Sequence, residues 1–187
     1  MGKLVSLTIL FSTVLLFSFK SDEEENANEL TWDAERPLVW EDFTAEPDKQ
    51  SSYDAWTFSG INYVYNWYYN DQNQIEAEVN AWAYFDHAQS WVKKKSISEE
   101  LLAHEQLHFD IAELHCRYFL EAADHFTYTE NVEAEIDSIF NVYFKQMLST
   151  QIDYDIATDH FRNKEEQIKW NNQVHAEMDR LSNYDYK

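Results

Sequence analysis

The chain has 187 residues, 17% of them aromatic, one cysteine and a formal net charge of −21. That length suits one domain, with more core material than a disordered chain carries. The charge excludes nucleic acid and anionic membrane surfaces as partners, since both need clustered Lys and Arg; the lone Cys116 excludes an internal disulfide and a cysteine-based zinc finger.

Residues 1–20 read as a signal peptide. Lys3 is followed by an almost unbroken apolar run to Phe19, short for a membrane span of about 20 residues. The expectation is a secreted or periplasmic protein with no membrane insertion once the signal is removed. Residues 21–30 are expected to be an acidic, flexible segment, and residues 31–187 a single domain. Residues 32–47, with Pro37 and Pro47 around Trp40 and Phe43, read as a loop or short strand with aromatic anchors.

Aromatic and β-branched residues dominate 55–69, which predicts a strand. Residues 70–73 form a polar turn. Ile75, Ala77, Val79, Ala81, Ala83 and Phe85 then alternate onto one face, so the two runs predict an antiparallel hairpin. Ser96 and Glu99 fit a capping box for a long helix to about residue 123, which would bury Cys116. Helical spacing of apolar residues predicts a second helix over 131–148 and a third over 162–181, with a connector at 151–159. Strands first and helices after give an α+β class.

The long helix carries His104-Glu105-Gln106-Leu107-His108. Histidines four apart lie on one helix face, roughly 6 Å apart along the axis, and can share one zinc ion. The glutamate between them sits beside the open coordination position, where it can take a proton from water. Leu101, Leu102 and Ala103 before the motif, and Phe109, Ile111 and Ala112 after it, place these polar groups in an apolar setting. Unpaired burial there would be costly, and a metal would satisfy all three. A catalytic zinc site takes a third protein ligand. His115 lies about 10 Å beyond His108 along the helix, too far to share the ion. Glu113 points to the opposite side. The third ligand must come from another segment: His160, Asp153, Asp155, Asp159, Glu130, Glu133, Glu135 or His125.

These blocks resemble a family of secreted bacterial proteins, first catalogued as a domain of unknown function and regarded as zinc-dependent proteases. Trp40-Glu41-Asp42-Phe43 resembles its early W-x-D-F element, and Thr57 to Tyr63 its first strand. Phe85-Asp86-His87 through Ser90-Trp91-Val92 resembles the segment before the active helix. The closest block runs from Leu102 to Glu113. Tyr154-Asp155 with Thr158-Asp159-His160, then Gln167 and Trp170, resembles its C-terminal element. Leu107 and Phe161 stand where the family usually has glycine. The resemblance implies a zincin-like fold, with a small antiparallel sheet packed on the motif helix plus two further helices. It raises His160 as third ligand beside His104 and His108.

The expectation is therefore a zinc-dependent metallopeptidase acting on peptide or protein substrates, with Glu105 as general base. Tyr154 is expected to donate to the oxyanion. Asp110, Glu113 and Asp159 are candidates for orienting a ligand histidine. The strand at 75–85 could pair with an extended substrate. Two alternatives share the site: a non-catalytic, metal-stabilised extracytoplasmic binding protein, and a zinc amidase acting on a non-protein amide. A third, an acidic surface protein with no metal, dispenses with it.

Overall fold

A computed structural model describes residues 28–185. The signal and most of the acidic segment lie outside the described residues. The first described element is β1 (Glu29–Thr31), of which Glu29 and Leu30 fall in the stretch expected to be flexible; Leu30 packs against the core.

The main sheet has the order β1-β4-β3 and is antiparallel throughout. The predicted hairpin forms from β3 (Ser59–Tyr69) and β4 (Ile75–Asp86), in continuous register from Ser59↔Phe85 to Tyr69↔Ile75. The Asn70 side chain closes the turn by accepting from the amides of Gln72 and Gln74, while Asn73 takes the left-handed conformation at φ 57°, which Asn tolerates. The odd-numbered face of β4 is apolar, and the other carries Glu76, Glu78 and Asn80, then Trp82 and Tyr84; burial deepens toward Ala81, Ala83 and Phe85. Gly60 has no side chain because a Cβ there would lie 2.7 Å from the Tyr84 ring of the partner strand. A second, two-stranded sheet pairs β2 (Ala55–Trp56) with β5 (Trp91–Val92). Between them, Trp40–Asp42 forms a 3₁₀ turn rather than a strand, and Phe43 carries the expected anchor by packing edge-on to Phe85.

The motif helix, α1 (Glu99–Asp124), runs through the middle of the molecule, with the sheet on one side and two helices on the other. Its cap is Ser98, whose side chain accepts from the Leu101 amide. Ser96 instead donates to Asp54 in the preceding 3₁₀ turn. Because both sides of α1 are covered, its polar residues need internal partners. Arg117 donates to Glu113 at 2.7 Å, to the Met178 carbonyl and to Asp185, and lies over the Trp32 ring. Cys116 is buried as expected, and burial pushes its thiol well above the ordinary value.

The second helix differs from expectation. α2 (Val132–Thr158) continues ten residues past Leu148, through the predicted connector. Polar residues such as Gln151, Asp153 and Asp155 lower the apolar periodicity there, yet Tyr154 and Thr158 keep a buried stripe that holds the helix on α1. The chain then reverses through Asp159, His160 and Phe161, three successive residues at φ 46°, 51° and 73°. α3 (Lys164–Arg180) follows, capped by Asn163. His160 therefore lies in a left-handed turn, not at a helix start.

Candidate metal centre

Sequence spacing puts His104 and His108 one turn apart on α1, and the fold turns both rings toward α2. Their Nε2 atoms are 3.2 Å apart. Asp155, on the facing side of α2, places Oδ1 3.1 Å from His104 Nε2 and 3.3 Å from His108 Nε2. These donor atoms form a nearly equilateral triangle. Ligands bonded tetrahedrally to zinc at about 2.0–2.1 Å stand roughly 3.4 Å from one another, so the triangle matches one face of such a site.

Two glutamines determine which atoms face the centre. Gln151 Nε2 donates to the His108 carbonyl, which leaves Gln151 Oε1 to accept from His108 Nδ1. Gln167 Nε2 donates to Asn171, which leaves its Oε1 to accept from His104 Nδ1 at 3.1 Å. With both Nδ1 atoms acting as donors, the neutral imidazoles turn their Nε2 lone pairs toward each other and toward a carboxylate oxygen. Two lone pairs and an anion facing one another at this range are stabilised by a cation or by protons, and the His-His-Asp donor set is one that zinc accepts. Protonation is the competing state. Burial resists it, but Asp155 and the nearby Glu105 outweigh burial and raise the His108 pKa. Burial likewise favours the neutral form of Asp155, but hydrogen bonds and charge from His104 and His108 hold its carboxyl well below the usual range.

Glu105 is buried beside this group, and its Oε2 accepts a 2.8 Å hydrogen bond from Thr57 Oγ1. Thr57 lies between β2 and β3, so the small sheets aim the glutamate. Glu105, His104, His108, Asp155 and His160 all line one cavity of about 580 Å³.

His160 meets the group at the same Asp155 oxygen that faces His104 and His108. Its Nδ1 lies 3.1 Å from Asp155 Oδ1 and its ring meets Tyr53 edge-on. The donor atoms that lie within 4.8 Å of one another belong to His104, His108 and Asp155, and His160 is not among them. Tyr154 is fully buried and does not line the cavity. Its ring stacks on His104 at 4.6 Å, and its hydroxyl is 2.8 Å from Gln167 Oε1. Burial pushes that phenol far above its ordinary value. The oxyanion role expected of Tyr154 does not fit this placement, because its hydroxyl is spent on the glutamine that orients His104.

The other candidates stand apart. Glu130, Glu133, Asp153, Asp159 and His125 are exposed away from the group, and Glu135 bonds Thr129. Asp110 bonds Trp32, Gln106 and His175, and Glu113 bonds Arg117, on the far side of α1. The residues that orient the histidines are instead Gln151 and Gln167. Gln151 could have been found one helical turn before Asp155, had the second helix been carried that far.

The strand at 75–85, expected as a possible partner for an extended substrate, is β4. β4 has neighbours on both sides at its site end, whereas β3 is an edge strand. The Asp86 amide donates to the Phe58 carbonyl, so in this register the backbone groups of Ser59 and Ile61 point away from β4. Residues 55–60 line the cavity.

A family model described as "Bacterial protein of unknown function (DUF922)" matches residues 45–161, which include every residue of the donor group together with Glu105 and His160. No curated protein and no solved structure matches the chain.

Proposed function

We propose, for a chain that belongs to the bacterial DUF922 family of unknown function, that it is a zinc-dependent metallopeptidase with a zincin-like arrangement of helix and sheet, exported by the signal-like residues 1–20. The observation that carries this reading is the triangle of His104 Nε2, His108 Nε2 and Asp155 Oδ1 at 3.1–3.3 Å, with Glu105 beside it in one cavity.

His104, His108 and Asp155 would hold the ion, and His160 would bond the same Asp155 oxygen, Oδ1, that faces the two histidines. Zinc bound there supplies Lewis-acid polarisation of a carbonyl and acidifies water. Glu105, aimed by Thr57, takes the proton of the attacking water and hands it to the leaving nitrogen. Gln151 and Gln167 keep both imidazoles in the tautomer that presents Nε2. Tyr154 positions Gln167 and the His104 ring. The edge of β3 beside the cavity, paired with a strand on one side only, supports an extended peptide as substrate over a compact amide, because a sheet edge pairs with another backbone.

Elemental analysis of purified protein tests the site. One zinc per chain is expected in the wild type and in Glu105→Gln and His160→Ala, with loss in His108→Ala and Asp155→Ala. Glu105→Gln should lower hydrolysis of a quenched fluorescent peptide by about 100-fold or more. Zinc lost in His160→Ala but kept in Asp155→Ala would return the third ligand to the histidine. A wild type that takes up no supplied zinc would sink the metallopeptidase reading.

A further inference from the structure

The far wall of the cavity is one face of α2. Phe144, Met147, Leu148 and Ile152 line it, at the i, i+3, i+4, i+8 spacing of a single helical stripe. Two of them remain open to water: Leu148 is 47% and Ile152 60% exposed. Single exposed apolar residues are ordinary. A pair that continues a buried apolar wall into the mouth of a cleft marks a surface that something covers. Trp56, 42% exposed, and Phe58 line the same cavity from the segment around β2.

Charge narrows what can enter. The carboxylates of Glu105, Asp155 and Asp54 line the cavity, and no Lys or Arg does so among the described residues. Asp54 is already engaged by Ser96 and Arg162. Away from the histidines, an acidic side chain would meet carboxylates and no lining Lys or Arg, in a molecule of net charge −21. A basic one would set its stem along the apolar stripe but give up the hydration of its ammonium for carboxylates that Thr57 and the histidines already bond. An aliphatic or aromatic side chain buries its own surface together with that of Leu148 and Ile152.

We infer that the α2 stripe is a specificity pocket that takes a bulky apolar side chain of an extended peptide, next to the bond presented to Glu105. The inference rests on the peptidase reading for its substrate, and on the wall itself for its preference. The stripe selects by area and by charge, and its exposed members can be changed without disturbing the core.

Calorimetric titration of the Glu105→Gln protein, with and without zinc, tests the pocket apart from catalysis. The probes are three capped tetrapeptides alike except for a central Phe-Leu, Glu-Glu or Lys-Lys pair. The Phe-Leu peptide should bind at least about tenfold more tightly than the Glu-Glu peptide. Adding Ile152→Glu or Leu148→Glu should remove most of that difference and favour the Lys-Lys peptide, with melting temperature and zinc content unchanged. Equal binding of the Phe-Leu and Glu-Glu peptides, or a preference untouched by both substitutions, would overturn the inference. Apolar preference in a protein that never takes up zinc would keep the pocket and reject the metallopeptidase. Zinc-dependent cleavage by the wild type, with no apolar preference in the titration, would do the reverse.

Discussion

Glu105 can act as a base only where its carboxylate is aimed, and one hydroxyl does the aiming. Thr57 Oγ1 donates to Oε2 at 2.8 Å from a segment 48 residues earlier in the chain. A hydrogen bond to a charged group contributes about 1.5–3 kcal/mol. Thr57→Val, which keeps the shape and deletes the donor, should therefore lower kcat/KM by about 10–100-fold. Zinc content should not change, and Thr57→Ser should recover most of the loss. Peptide-hydrolysis kinetics beside elemental analysis would check this, and a Thr57→Val protein with wild-type kcat/KM would remove Thr57 from the site. The same scale explains why Tyr154 is not an oxyanion donor. One hydroxyl proton cannot serve both Gln167 and a substrate, and Tyr154 is fully buried and does not line the cavity.

At the scale of elements, the turn between α2 and α3 concentrates unfavourable backbone. Asp159, His160 and Phe161 all lie in the left-handed region, which costs L-residues roughly 1–2 kcal/mol each. His160 gains Asp155 and Tyr53 there, and Phe161 packs on the core. Asp159 gains little, since its side chain is 71% exposed and lies 3.9 Å from Arg162. Asp159→Gly should therefore stabilise the protein by about 0.5–1 kcal/mol. Urea unfolding would show this as a higher midpoint with the same slope; a lower midpoint would mean that the Asp159 side chain matters more than its backbone. Phe161→Gly is not equivalent, because relief of backbone strain would be offset by lost burial.

Across the whole molecule, burial of polar groups along α1 sets the response to pH. His115 is buried, bonds Thr150 through Nε2, and has no partner for Nδ1. Burial pushes its pKa down to about 4, so below its ordinary value of about 6.5 the unfolded chain takes a proton that the folded chain refuses. Its contribution is present above pH 6.5 and is lost as pH falls toward 4, by roughly 3 kcal/mol at most. Glu113 acts with the opposite sign. Burial, against the pull of Arg117, pushes it up to about 7, so its contribution is present below its ordinary range and lost as pH rises through 7. The two oppose each other across the same interval, and the wild type alone can look insensitive. His115→Gln keeps a partner for Thr150 without titrating in this range. Urea melts at pH 7.5 and pH 4.5 should show the variant losing less stability on acidification than the wild type, by about 2–3 kcal/mol. An equal loss in both proteins would count against a neutral, buried His115.

The sequence alone determined what is local. Alternation in 75–85 specified a half-buried strand, and the polar Asn70–Asn73 run specified the turn of its hairpin. The spacing of His104, Glu105 and His108 put two imidazoles and a carboxylate on one helix, because helical periodicity is a property of a few consecutive residues. Tertiary structure decided everything that needed a second segment. Only packing of α2 along α1 kept residues 149–158 helical against their polar composition, and only that packing set Asp155 among His104, His108 and His160. Gln151 orients the site from one turn before Asp155 on α2, and Gln167 and Thr57 from two other places in the chain, at separations where no periodicity operates. Which strand stands at the edge was likewise fixed by pairing order, since β1, a three-residue strand from the start of the domain, covers the site end of β4 and leaves β3 open.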